Sequence, residues 1–217
     1  MGKSVETRAR VLEVALRSFR DRGFQKTTMR LIASEADVAL GNAYYYFPSK
    51  GHLVQELYAA VIAEQSSAAR AALGAHRKLG PRIAAAWHAA VDASEPYHSF
   101  GAEFISEAIR PTSPSSPFSA ASTRARQASQ EVYQDVVAGA QPAVPAPLRA
   151  DLPLLLWLAQ LGIEIFWVYD TSPDRRRTRA LVDGVAPIVA TLVGLARLPV
   201  VRGAVDDALA VLHRVRA

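Results

Sequence analysis

Apolar residues along this chain recur at the spacing of a helix, and no run of useful length alternates as a strand would. Val11, Leu12, Ala15, Leu16 and Phe19 share one face of a helix predicted over residues 7–22, with Thr7 or Ser4 as caps and Gly23 as the stop. Leu53, Val54, Leu57, Tyr58, Val61 and Ile62 repeat the pattern in a helix that Ser49 is placed to cap, after Pro48, and that extends to Leu73. Further helices are predicted over 81–93, 96–110, 118–138, 151–169 and 175–195, with a tail helix from Arg202. Pro81 and Pro96 suit first helical turns, and breaks at 111–117 and 139–147, each with three prolines, and at 170–173 separate the elements. The expected fold is all-α, with about nine or ten helices and no internal repeat.

A chain of 217 residues, half of them hydrophobic and 21% charged, has the composition of one or two folded domains. Cysteine is absent, which excludes disulfides, thiolate metal sites and cysteine nucleophiles, and a reducing cytoplasm is the expected setting. No leader is expected, because Glu13 and Arg17 interrupt the first apolar stretch. The most apolar region, 152–169, contains Gln160 and Glu164 and is read as a buried helix with no role in a membrane. Residues 1–55 hold nine basic against five acidic side chains and so carry +4 of the net +5, a bias suited to a polyanionic partner.

That basic segment contains a second pattern. Thr28 can cap a short helix through Leu31, Ile32 and Ala33 to Glu35. Ala36, Asp37 and Val38 form a tight turn in which Asp37 tolerates a left-handed backbone, and Ala39–Tyr46 make a third helix. Two short helices joined this way form a helix-turn-helix, whose second member enters the DNA major groove. Ala39-Leu40-Gly41-Asn42-Ala43 offers a slim face with one amide, suited to close approach and bidentate pairing with adenine. Tyr44, Tyr45 and Tyr46 point in three directions, so at least one is expected at the surface, beside Lys50 and suited to phosphate contact.

From Thr7 to about Tyr58 the sequence resembles the TetR family of transcriptional regulators. The likeness rests on Gly23-Phe24, Thr27-Thr28-Met29-Arg30-Leu31-Ile32-Ala33, Ala36-Asp37-Val38, and Gly41-Asn42-Ala43-Tyr44-Tyr45-Tyr46-Phe47-Pro48-Ser49-Lys50 with Leu53. Asp37 stands where the family usually has glycine, Ala43 where leucine is common and Tyr46 where histidine is frequent. The resemblance implies a DNA-binding domain over 1–50, its motif at about 28–47, and an effector-binding and dimerisation domain over 51–217. It implies that Thr28 caps its helix near a phosphate, that Arg30, Leu40, Gly41 and Asn42 face bases, that Tyr44 packs close to the groove, and that Tyr45, Tyr46 and Lys50 hold the DNA backbone. Family members bind double-stranded palindromic operators as homodimers, usually repressing, and let go when a small molecule enters the C-terminal domain.

The remainder carries no motif as specific. Residues 151–169 are apolar nearly all round and need cover on two sides. Leu181, Val185, Ile188, Val189 and Leu192, with small Gly184, Ala186 and Ala190, fit a helix packed on its own symmetry mate. Trp87, Tyr97, Phe100, Phe104, Tyr133 and Trp157 are candidate lining for a small, largely apolar effector, with Glu103 or Glu107 meeting its polar group. Glu95-Pro96-Tyr97-His98 has metal-bundle spacing in a single copy, where such a site needs two, and no hydrolase elbow, phosphate loop or zinc motif occurs. Neither enzyme, metal nor cofactor is expected; the alternative to an effector-released repressor is a constitutive or architectural DNA-binding protein.

Overall fold

The computed structural model describes residues 3–216, and the described residues form ten α-helices with no strand. In chain order these are α1 (Lys3–Arg22), α2 (Met29–Glu35), α3 (Leu40–Tyr46), α4 (Lys50–Leu73), α5 (Leu79–Ser94), α6 (Gly101–Ala108), α7 (Thr123–Ala138), α8 (Leu152–Tyr169), α9 (Arg176–Leu195) and α10 (Pro199–Arg216). Contacts divide the chain into two compact units, the first up to Glu64 together with Ala93–Gln127, the second Gln65–Asp92 with Ala128 onward. The divisions fall inside α4, α5 and α7.

In the first unit, Val11, Ala15 and Phe19 of α1 bury completely with Ile32, Ala43, Phe47, Leu53 and Leu57, as the spacing in the sequence requires. Phe100 joins them, its ring 6.1 Å from that of Phe19. Gly23 ends the first helix at φ 82°, a left-handed stop that glycine adopts without strain.

The helix predicted over 96–110 is split. Residues 95–100 form a 3₁₀ turn and α6 begins only at Gly101, whose N–H still bonds the carbonyl of His98, three residues back. The helix predicted from 118 begins at Thr123. Over 113–122, serine side chains bond nearby backbone in place of helical partners: Ser115 N to Ser113 Oγ, Ser119 Oγ to Pro114 O, and Ser122 N to Ser119 Oγ. Ser115 Oγ also donates to Gly51 O at 2.9 Å, holding this segment to the first turn of α4.

The second unit buries Trp87, Val132, Tyr133, Leu156, Trp157 and Val182 in one core. Arg82 is buried among helix ends. Its guanidinium donates to the carbonyls of Leu73 at the end of α4, of His76 beyond it, and of Asp135 and Val136 near the end of α7, at 2.6–2.9 Å. Those carbonyls lack helical partners or sit at the negative end of a helix dipole, so a buried cation suits them. Asp170 caps α9: its carboxylate accepts from the backbone N–H and hydroxyl of both Ser172 and Thr178.

Candidate functional site

Helices α2 and α3 are joined by a turn held by local backbone hydrogen bonds and by Arg10 of α1, whose Nε donates to Ala36 O at 2.9 Å. Ala36 N donates to Ile32 O and Val38 N to Ala33 O, with Asp37 between them at φ 50°. Thr28 Oγ1 accepts from Leu31 N at 3.1 Å and caps α2, while Thr27 Oγ1 ties the preceding loop to Ser18 and Gly23 carbonyls.

Ala43 of α3 and Phe47 just after it point inward, with Leu40 half-buried against the same core. Gly41, Asn42, Tyr44 and Tyr45 face outward, Tyr45 at 79% exposure, and Arg30 on α2 is exposed as well. Tyr46 is half-buried; its hydroxyl meets Ser4 Oγ at 3.1 Å and its ring meets Tyr45 edge-on at 5.2 Å. Gly41 is helical, and a methyl built on it would meet nothing within 4 Å. The protein's own packing therefore does not require glycine there, although glycine in a helix costs about 1 kcal/mol against alanine.

Lys50 has internal partners. Its Nζ donates to Phe24 O at 2.8 Å and lies 4.2 Å from the centre of the Phe24 ring. Burial lowers its pKa, opposed by the charge of Glu107. Glu107 is held by Arg110 and by the Ser113 hydroxyl at 2.8 Å. Burial acts to raise the Glu107 pKa, but these bonds outweigh it and leave the carboxyl more acidic than usual.

The candidate effector residues fall into two groups. Tyr97, Phe100 and Phe104 pack with the core of the first unit, alongside Glu103 and Glu107 on α6, whereas Trp87, Tyr133 and Trp157 are fully buried in the second. A surface cleft of about 430 Å³ in the second unit is lined by Gln134, Val137, Ala138, Ala143, Val144, Arg149 and Pro153, none of the expected eight. Gln65 and Gln160 were not among the expected site residues, yet both are buried and bonded to each other. The signal for Gln160 is its place as an amide inside an otherwise apolar helix.

On α9, Ile188 and Leu192 are about 60% exposed, while Leu181, Val185 and Val189 are half-buried against the core. Leu155, Leu158, Ile165, Phe166 and Tyr169 form an exposed stripe on α8 at helical spacing. Both α8 and the stretch Pro173–Leu195 are long and apolar enough to cross a membrane by length and composition.

Two short helices closed by a left-handed turn, the second turning an open glycine, an amide and two phenols outward, define a helix-turn-helix protein. Residues 11–57 match the family model of bacterial regulatory proteins, tetR family, and residues 82–211 match the tetracyclin repressor-like C-terminal domain. The chain belongs to the TetR family. It is similar to the transcriptional repressor KstR of Mycolicibacterium smegmatis, 45% identical over 49 residues covering 23% of this chain and 24% of that protein. Similarity to the regulator TtgR of Pseudomonas putida is 39% over 82 residues, 34% of this chain and 39% of that one. The matched segments thus span well under half of these relatives' own length. Among solved structures, a TetR regulator from Nitrosomonas europaea aligns with a TM-score of 0.62 at 18% identity, covering 85% of this chain and 98% of its own. The repressor FadR of Thermus thermophilus, in complex with lauroyl-CoA, aligns at 0.60 with 19% identity, covering 82% and 92%. At such identities the likeness is one of fold.

Proposed function

We propose that the chain is a sequence-specific DNA-binding transcriptional regulator: a cytoplasmic homodimer that represses from a palindromic operator and is released by a small, largely apolar effector. One observation carries the DNA-binding part: glycine stands at the exposed position 41 of α3, where nothing in the protein needs it. A helix backbone that must come close to base edges does need it, and the exposed Asn42 beside it can pair with adenine N6 and N7. Thr28, Arg30, Leu40, Tyr44, Tyr45, Tyr46 and Lys50 surround this point as base and phosphate contacts. Family membership and the repressors among the relatives support the assignment.

The exposed stripes of α8 and α9 are read as the faces that meet a second copy, since scattered single apolar residues are ordinary but stripes at helical spacing are interaction surfaces. Two copies present two recognition helices, which is why the operator is expected to be palindromic. The effector belongs in the second unit; the lauroyl-CoA bound to FadR supports a ligand site within this fold. Selection of bound fragments from genomic DNA by purified protein, with and without candidate effectors, tests the whole reading.

A further inference from the structure

Three helices of the second unit place hydrogen-bonding side chains in its apolar core. Gln65 on α4 and Gln160 on α8 pair reciprocally, Nε2 of each donating to Oε1 of the other at 3.0 and 3.2 Å. Tyr133 on α7 donates its hydroxyl to Gln160 Oε1. All three are at most 3% exposed, and Trp87, Leu156 and Trp157 share their core.

The cluster has donors to spare. Each amide nitrogen carries two N–H groups, and the pair uses one of each. The buried hydroxyls of Ser66, next to Gln65, and Ser129, one turn before Tyr133, have no hydrogen-bond partner. Buried donors left unmet cost about 1–3 kcal/mol each, so a network serving the fold alone is expected to close on itself. Burial pushes the Tyr133 phenol well above its usual pKa, and the negative charge of Glu164, one turn along α8 from Gln160, pushes the same way.

We infer that Gln65, Tyr133 and Gln160 form the polar end of the effector site and select an uncharged hydrogen-bonding group, such as an alcohol or amide, on an apolar molecule. A neutral acceptor takes up the spare N–H and O–H donors. A carboxylate at the same place must give up its hydration in a core where Gln65, Tyr133 and Gln160 are at most 3% exposed. This rests on the effector reading above and adds the chemistry of the ligand to it.

The test uses the full chain and three probes with the same tail: 1-octanol, octanamide and octanoate, titrated near neutral pH and followed by tryptophan fluorescence. The alcohol and amide are expected to bind saturably, at least about tenfold more tightly than octanoate, a difference of about 1.4 kcal/mol. Tyr133→Phe, which keeps the ring in place, and Gln160→Met should each weaken binding of the alcohol and the amide at least about tenfold. Octanoate binding as tightly as the neutral probes, or alcohol and amide affinities unchanged in a folded Tyr133→Phe protein, overturns the inference and leaves an effector site of other chemistry. Saturable binding of none of the three overturns the inference together with the effector reading.

Discussion

Lys50 Nζ donates to the carbonyl of Phe24 at 2.8 Å and sits over that residue's ring, so the start of α4 is bound to the loop that follows α1. A lysine expected at the DNA backbone thus also holds two elements of the DNA-binding unit together. Lys50→Ala should lower the stability of the protein by about 1–2 kcal/mol through the lost charge-assisted bond and reduce the salt slope of DNA binding by about one. Denaturation without DNA and salt titrations on operator and scrambled DNA separate the two effects. An altered sequence preference with an unchanged salt slope contradicts the phosphate role.

Gly41→Ala should separate stability from function. The methyl meets no protein atom and improves helix propensity, so the variant should be more stable by up to about 1 kcal/mol. Operator affinity should nevertheless fall at least about tenfold, because the methyl stands where the helix approaches the bases. Thermal denaturation and operator titration measure both; a variant that binds operator as well as the parent removes the close approach.

Gly139 is needed for another reason. A Cβ there would lie 2.3 Å from the Arg82 guanidinium, which four carbonyls hold in place. Gly139→Ala should cost about 1–3 kcal/mol, as overpacked sites do. In an Arg82→Ala background most of that cost should vanish, which a double-mutant cycle by urea denaturation detects. Equal costs in both backgrounds would place the defect elsewhere.

The Asp170 cap predicts an acid limb of stability. Burial acts to raise its pKa, but four hydrogen bonds from Ser172 and Thr178 outweigh this and hold it far below the ordinary value. A depressed folded pKa means the stabilisation is full above the unfolded value of about 3.9 and is lost as pH falls from there toward the folded one. Asp170→Asn should therefore be less stable than the parent at neutral pH, with the gap narrowing below about pH 4. Urea denaturation across that range checks it; a gap that does not change with pH contradicts the cap.

The proposed dimer face is best probed where it is exposed. Leu192→Glu or Ile188→Glu should split the dimer and abolish operator binding with helical content kept, read by sedimentation and circular dichroism. Val189 packs partly into its own core, so a charge there mixes the two effects. A parent chain that stays monomeric at micromolar concentration, with and without DNA, contradicts the assignment.

Features set by neighbouring residues were legible in the sequence. The Thr28 cap, the Gly23 stop and the left-handed Asp37 each follow from the chemistry of one residue and its local context. The 3₁₀ turn at 95–100 and the start of α7 at Thr123 in place of 118 were less so, because a 3₁₀ ladder leaves no distinct apolar spacing and the serines of 113–122 capture backbone groups that a helix would use. Contacts made across long sequence separations were not legible. Phe100 lies next to Phe19, and Gln65 bonds Gln160 95 residues away. Periodicity identifies which residues go inside but not what they meet there.

The central claim, that the outward face of α3 reads DNA sequence, is tested most directly by titrating Asn42→Ala and the parent protein against the selected operator and against the same operator changed at single base pairs. The account predicts that the parent prefers the palindrome and that Asn42→Ala loses about 1–3 kcal/mol at one symmetric pair of positions, no longer distinguishing bases there. A parent protein that binds operator and scrambled DNA equally, or an Asn42→Ala variant with its preference intact at every position, would contradict it.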